Sequence, residues 1–227
     1  MLNYTIEKKN CQEIHGDEKM KTIDYLTILK NEIHSAVFAT IDENGLPCTR
    51  VIDIMLADET GIYFITAKGK AFYHQLMAQK YVSISAMTNG KDSLSKKSIT
   101  VQGKIKSIGQ SRLDEVFREN SYMEKIYPTE KSRAALEVFW LYEGEGEFFD
   151  LSSVPIFRDT FSIGNGKASQ KGYFVTNKCR GCKICYANCP QKCIDISVKP
   201  VMIHQENCLH CGNCYDVCPF GAVERRL

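Results

Sequence analysis

The chain has 227 residues, 44% of them hydrophobic, which is enough for one or two domains with substantial cores. A formal net charge of +2 excludes the strong field that would draw the whole molecule onto nucleic acid or an anionic membrane surface. No run of about 18 apolar residues occurs, and the opening MLNYTIEKKNCQE lacks an apolar signal core, so the expectation is a cytoplasmic protein with no membrane and no nucleic-acid partner.

In MKTIDYLTILKNEIHS, Met20, Ile23, Leu26, Leu29 and Ile33 recur at three- and four-residue steps, which predicts a helix. AVFATI and TRVIDIML read as strands joined by DENGLP, where Asn44-Gly45 is a strong hairpin signal because both residues accept positive φ. GIYFITA is a third strand and KAFYHQLMAQK a short helix. YVSISAM and SITVQGKIKSI form another pair across a loop that contains Asn89-Gly90. SRLDEVFRENSYMEKIY reads as one amphipathic helix with Ser111 as N-cap and Glu115 close behind. ALEVFWLYEG, GEFFDLS and IFRDTFSI read as three further strands. Many short antiparallel strands with few helices predict a small barrel over residues 1–163.

GNGKASQKG, residues 164–172, is rich in Gly, Ser and Lys and reads as a flexible linker. Residues 173–227 hold most of the cysteine. Of eleven cysteines, eight lie in CRGCKICYANCP (179–190) and in CLHCGNCYDVCP (208–219). An odd total, no secretion signal and tight C-x-x-C spacing argue for metal rather than disulfides. Each stretch reads C-x2-C-x2-C-x3-C-P, the ligand run of two-cluster iron–sulfur proteins. Three thiolates two residues apart wrap one face of a cubane, and the fourth reaches across to the other cluster. Cys179, Cys182, Cys185 and Cys218 are then one [4Fe-4S] ligand set; Cys208, Cys211, Cys214 and Cys189 are the second. A zinc site would use two separated C-x-x-C pairs and needs neither the third cysteine nor the C-P step. Pro190 and Pro219 turn the chain after each crossing ligand.

The repeat extends beyond the thiols: YFVTNKCRGCKICYANCPQKCIDI aligns with VMIHQENCLHCGNCYDVCPFGAVE, each half reading as strand, ligand loop, helical turn and strand. About 55 residues is small for a stable core, and clusters are a common staple at that size. The segment carries seven Lys/Arg against four Asp/Glu, an excess that largely offsets the negative clusters. Cys193 lies outside the pattern and reads as a small buried hydrophobe. His210, inside the second ligand loop, reads as a solvent-facing residue. The segment resembles the two-cluster bacterial ferredoxins, with all eight ligand positions matched, which implies a small α+β ferredoxin-like domain and electron transfer.

FATIDENGLPCTRVIDI, IYFITAKGKAFYHQL, YVSISA and ITVQGKIKSI resemble the pyridoxamine 5′-phosphate oxidase-like, FMN-binding split-barrel family. The resemblance covers roughly residues 20–162. It implies a mainly β fold, a split β-barrel with flanking helices, and a homodimer with FMN in a groove between subunits. Carried over by position, Arg50, Val51 and Ile52 approach the flavin, and Ile65 and Thr66 lie beside its ring and ribityl chain. Lys68 and Lys70 meet the phosphate, and Gln102 touches the ring edge. TAKGKAF offers an FMN phosphate both cations and a helix N-terminus. Taken alone, Lys68 and Lys70 also read as an ordinary solvated loop. Asp53 matches an acidic position in part of the family, and a polar strand end explains it equally well. The arginine-rich tail with which true pyridoxamine 5′-phosphate oxidases grip substrate is missing, so that reaction is not expected here.

FMN handles one or two electrons and a [4Fe-4S] cluster normally one, so the fusion reads as a flavin- and iron–sulfur-dependent oxidoreductase that reduces a small organic acceptor. An electron carrier or redox sensor acting only with protein partners is the alternative, as is a split-barrel reductase that binds F420. The donor is a reduced ferredoxin-like protein or a nicotinamide docking directly on the flavin. GNGKAS has Ser169 where a dinucleotide fingerprint needs its third glycine, and no Walker A or G-x-S-x-G motif occurs. The histidines are scattered, and no catalytic residue is assigned.

Overall fold

Eight antiparallel strands of the first domain form one sheet that curls back on itself. The computed structural model describes residues 20–226, so Cys11 and His15 lie outside the described residues. The opening helix α1 (Thr22–Thr27) continues as a π-helical turn, Ile28–Ile33, closed by His34 N donating to Leu29 O at 2.9 Å. Its buried residues are Tyr25, Leu26 and Leu29; the last two lie on the predicted periodicity, while Ile23 and Ile33 are half-buried and Tyr25 was not among the predicted positions.

The strands are β1 (Ser35–Ile41), β2 (Pro47–Asp53), β3 (Leu56–Asp58), β4 (Gly61–Ala67), β5 (Tyr81–Met87), β6 (Lys97–Ser107), β7 (Leu136–Asp150) and β8 (Phe157–Ile163). Their order is β2-β1-β5-β6-β7-β4-β3, with β8 also paired to β7. The two ends of that path, β2 and β3, meet in the stretch read as the single strand TRVIDIML, whose last residue, Leu56, opens β3. The stretch breaks at Ile54 and Met55, where Ile54 N donates to His34 O and Met55 N to Tyr63 O, both at 2.8 Å. One segment thus leaves the β1 edge and joins the β4 edge, which curls the sheet into a barrel. Phe38, Phe64, Leu76, Ile84 and Val101 fill its interior. Burying each such side chain stabilises by roughly 1.5–3 kcal/mol.

Two other expectations change. The strands read on either side of Gly144 and Gly146 are one strand of 15 residues, β7. These glycines mark close approach rather than a turn: a Cβ on Gly144 would strike the Gln102 carbonyl, and one on Gly146 would overlap the Phe161 ring. The helix read over SRLDEVFRENSYMEKIY is two, α3 (Leu113–Glu119) and α4 (Met123–Ile126). Buried Asn120 interrupts it, because its side-chain amide donates to Met55 O and Val116 O. The N-cap is Arg112 in a left-handed conformation rather than Ser111. The remaining helices here are α2 (Ala71–Gln79) and the short α5 (Glu130–Arg133).

The second domain repeats a strand–loop–helical turn–strand unit. Its elements are β9 (Gly172–Val175), α6 (Ile184–Ala187), β10 (Ile194–Asp195), β11 (Met202–Ile203), α7 (Asn213–Asp216) and β12 (Val223–Arg226). β9 pairs with β12 and β10 with β11, so each half supplies a strand to the other's pair. The segment read as a flexible linker is pinned instead: Ser169 donates from N and Oγ to Glu145 Oε2 at 2.9 and 2.8 Å, and Lys171 approaches the same carboxylate. Among the described residues, no helix is long and apolar enough to cross a membrane.

Candidate functional site

The eight cysteines of the two ligand runs fall into two cavities. One is lined by Cys179, Cys182, Cys185 and Cys218. The other is lined by Cys189, Cys208, Cys211 and Cys214. The grouping follows from the local fold. In each run the loop wraps three thiols round its own cavity, and the helical turn α6 or α7 then carries the fourth across. Backbone N–H groups point at the sulfurs: Gly181 N and His210 N each lie 3.4 Å from the first sulfur of their run, and Ala222 N lies 3.3 Å from Cys218 Sγ. Among the described residues, no three Cys, His, Asp or Glu side chains converge on a single-ion site; the thiols ring a space. Thiolate donors arranged around such a space, with N–H donors to their sulfurs, fit iron–sulfur clusters.

Cys193, read as a plain hydrophobe, also lines the second cavity, with its Sγ 3.6 Å from Cys189 Sγ. Its hydrogen bond with Cys208 and its burial push its own pKa up, and the same bond pulls that of Cys208 down. Burial pushes Cys214 up to about 12.

The residues carried over for a flavin do not all point one way. Arg50 lies opposite fully buried Phe38, so its side chain leans inward toward α2. It donates to Thr40 Oγ1 and to Gln75 Oε1, the latter at 2.8 Å, and its guanidinium lies 4.4 Å over the Phe72 ring. Lys70 is the exposed N-cap of α2, whose first turn has no side-chain cap. Lys68 pairs with Glu137 at 3.3 Å. Ile65 and Thr66 are buried on β4, and Thr66 Oγ1 has no hydrogen-bond partner. Ile52 packs against the barrel core. Asp53 accepts from Ser35 and Tyr122, both at 2.6 Å, which accounts for it as a structural strand end.

Val51 and Gln102 face the other way, onto the outer face of the sheet. Thr49, Ala39, Ser83, Gln102 and Glu145 are cross-strand neighbours in one row over β2, β1, β5, β6 and β7. Its first three side chains are small. At its β7 end an open cavity of about 170 Å³ is bounded by Gln102, Glu145, Glu147, Thr160, Lys171 and, from the second ligand loop, His210. Gln102 Nε2 donates to Glu145 Oε1 at 2.6 Å. The Ser169 N–H holds the Glu145 carboxyl below its usual range against the effect of burial, helped by the Ser169 hydroxyl and Gln102. His210, expected to face solvent, turns its Nε2 into the protein, where it is buried and unpartnered. Sequence reading had no signal for Glu145 or Gln75, because both meet their partners only through strand register and helix packing.

A cationic rim at an uncapped helix start and an orphaned Thr66 hydroxyl fit a phosphorylated cofactor such as FMN. Residues 178–222 match the 4Fe-4S dicluster domain. In that region the chain is 43% identical over 49 residues to an uncharacterised ferredoxin of Methanocaldococcus jannaschii, covering 20% of this chain and 79% of that one. It is also 44% identical over 50 residues to the indolepyruvate oxidoreductase subunit IorA of Pyrococcus horikoshii, 21% of this chain and only 8% of that relative's length. In fold it resembles a NimC/NimA family protein of Clostridium acetobutylicum, with a TM-score of 0.52 and 17% identity, covering 62% of this chain and 92% of that one. Residues 25–146, more than half of the chain and the bulk of the barrel, match the family described as pyridoxamine 5′-phosphate oxidase, and the chain belongs to that family, with a 4Fe-4S dicluster domain joined to its barrel.

Proposed function

We propose that the protein is an FMN- and iron–sulfur-dependent oxidoreductase in which electrons pass between two [4Fe-4S] clusters and FMN to reduce a small organic acceptor. The observation that carries this reading is the crossed grouping of eight thiols into two cavities in a module fixed to the barrel. When bound, the clusters would supply single-electron transfer and FMN would supply the coupling of one-electron to two-electron chemistry.

The chain's own residues supply position and field. Lys70, Lys68 and the α2 N-terminus attract the phosphate, and Arg50 braces β2 against that helix through Thr40 and Gln75. The Thr66 hydroxyl is available to the cofactor as a hydrogen-bonding group. The outer row, with Val37, Ile41, Val51 and Met87 exposed around it, offers an apolar face that a second copy covers in a homodimer. A reduced ferredoxin-like protein is the donor that suits cluster input.

The test is an anaerobic spectrum of purified protein with iron, sulfide and released flavin quantified, followed by reduction with dithionite in the presence and absence of small acceptors. Two clusters, bound FMN and turnover of an acceptor are expected. Electron exchange with other redox proteins alone, with no acceptor turned over, marks a carrier; iron without flavin removes the reading.

A further inference from the structure

The two ligand loops meet different surroundings. The second is seated on its own chain's barrel. Asn207, next to Cys208, donates from its side chain to Ile156 O at 2.8 Å. Arg158 on β8, two residues beyond Ile156, pairs through Nη1 with Glu147 at 2.8 Å, and Glu147 lines the same cavity as His210. His210 stands between Cys208 and Cys211 and forms part of the wall of the cavity that holds Gln102 and Glu145. Its φ of 56° is uncommon for a residue with a side chain, although histidine tolerates it better than most. The pinning of Ser169 and Lys171 to Glu145 fixes this pose from the linker side. The first loop differs. Lys178, Arg180 and Lys183 are exposed around it, and among the described residues no hydrogen bond or ion pair ties residues 179–185 to the barrel.

We propose that electrons cross between module and barrel of the same chain at His210, which makes the Cys189/Cys208/Cys211/Cys214 site the outlet beside the Gln102 end of the flavin groove and the Cys179/Cys182/Cys185/Cys218 site the inlet facing solvent. This rests on the reading of two clusters and FMN given above. Each crossing oxidises the outlet cluster by one electron and reduces the flavin by one. Two crossings with two solvent protons complete the flavin's reduction, and the inlet cluster is refilled by an external low-potential one-electron donor. The cationic loop suits a donor with an acidic face.

An anaerobic redox titration of full-length protein carrying both clusters and FMN, followed by electron paramagnetic resonance, tests the placement. Arg158→Gln removes a positive charge beside the second loop, so one cluster's wave moves to lower potential while the other stays. Glu147→Gln, on the same ion pair, moves that same wave upward. Lys183→Gln, beside the first loop, lowers the other wave. Stopped-flow reduction of His210→Ala, with iron, sulfide and FMN contents matching the parent, is at least tenfold slower in flavin bleaching. The proposal is overturned if Arg158→Gln and Glu147→Gln leave both waves in place, if Arg158 and Lys183 act on the same wave, or if His210→Ala transfers at the parent rate. Parent protein lacking clusters or FMN would instead overturn the reading on which the proposal rests.

Discussion

Cys185 and Cys189 stand four residues apart, yet they line different cavities, Cys185 with Cys218 and Cys189 with Cys208. The α6 turn spans the gap between them, so the two sites are built from both halves of the repeat and neither half is complete alone.

Removing one crossing thiol therefore damages the site of the other half. Cys218→Ala is expected to lose iron and sulfide at the Cys179/Cys182/Cys185 site first and to leave the spectrum of the second cluster in place. Quantified iron with resonance spectra of the reduced protein checks this. Zinc in reconstituted protein would contradict it.

Cofactor seating gives a second prediction. Charge reversal of Lys70 at the start of α2 weakens FMN binding by ~1–3 kcal/mol, the usual worth of a charge-assisted contact. Arg50→Ala weakens it too and loosens β2 from α2, because the bonds to Thr40 and Gln75 go with it. Fluorescence titration with FMN reads both, and unchanged affinity in the pair would remove the assignment.

A third concerns pH. Burial alone would raise the Asp58 pKa, but hydrogen bonds from Thr60 and from Arg112, the latter at 2.6 Å, outweigh it and hold the carboxyl below its ordinary value. A depressed folded pKa means the contact stabilises the protein above the unfolded value of about 3.9 and is lost as pH falls through the lower folded value. The difference in Tm between parent and Asp58→Asn is accordingly full at pH 6 and shrinks below about pH 4. A difference that stays constant over that range would show that the charge has no part in it.

Packing supplies a fourth. Gly146→Ala sets a methyl group into the Phe161 ring and forces β7 and β8 apart, with a destabilisation of about 1–3 kcal/mol. Denaturant unfolding measures it, and Phe161→Leu in the same chain should recover part of the loss.

These same residues show what a sequence can carry. Strand and helix placement along the barrel was legible because burial alternates or recurs locally, as in β5, where Val82, Ile84 and Ala86 face in. The division of the eight thiols between two cavities was legible because cubane geometry restricts how closely spaced thiols can close. Long-range partnerships were not. β7 was read as two strands divided between Gly144 and Gly146, since the Gln102 carbonyl and Phe161 ring that exclude a side chain there come from other strands. The 164–172 segment looked free because its partner, Glu145, lies about twenty residues back on β7. His210 and Cys193 were read by type alone, and their roles arise from what folds against them.

The central claim is that clusters and flavin form one electron path within the assembled protein. Stopped-flow reduction of the fully loaded protein by substoichiometric dithionite, under argon, tests it most directly. Bleaching of the clusters followed by first-order bleaching of the flavin, at a rate independent of protein concentration, is the predicted result. A flavin phase whose rate rises in proportion to protein concentration, or reduced clusters beside a flavin that stays oxidised, would contradict it.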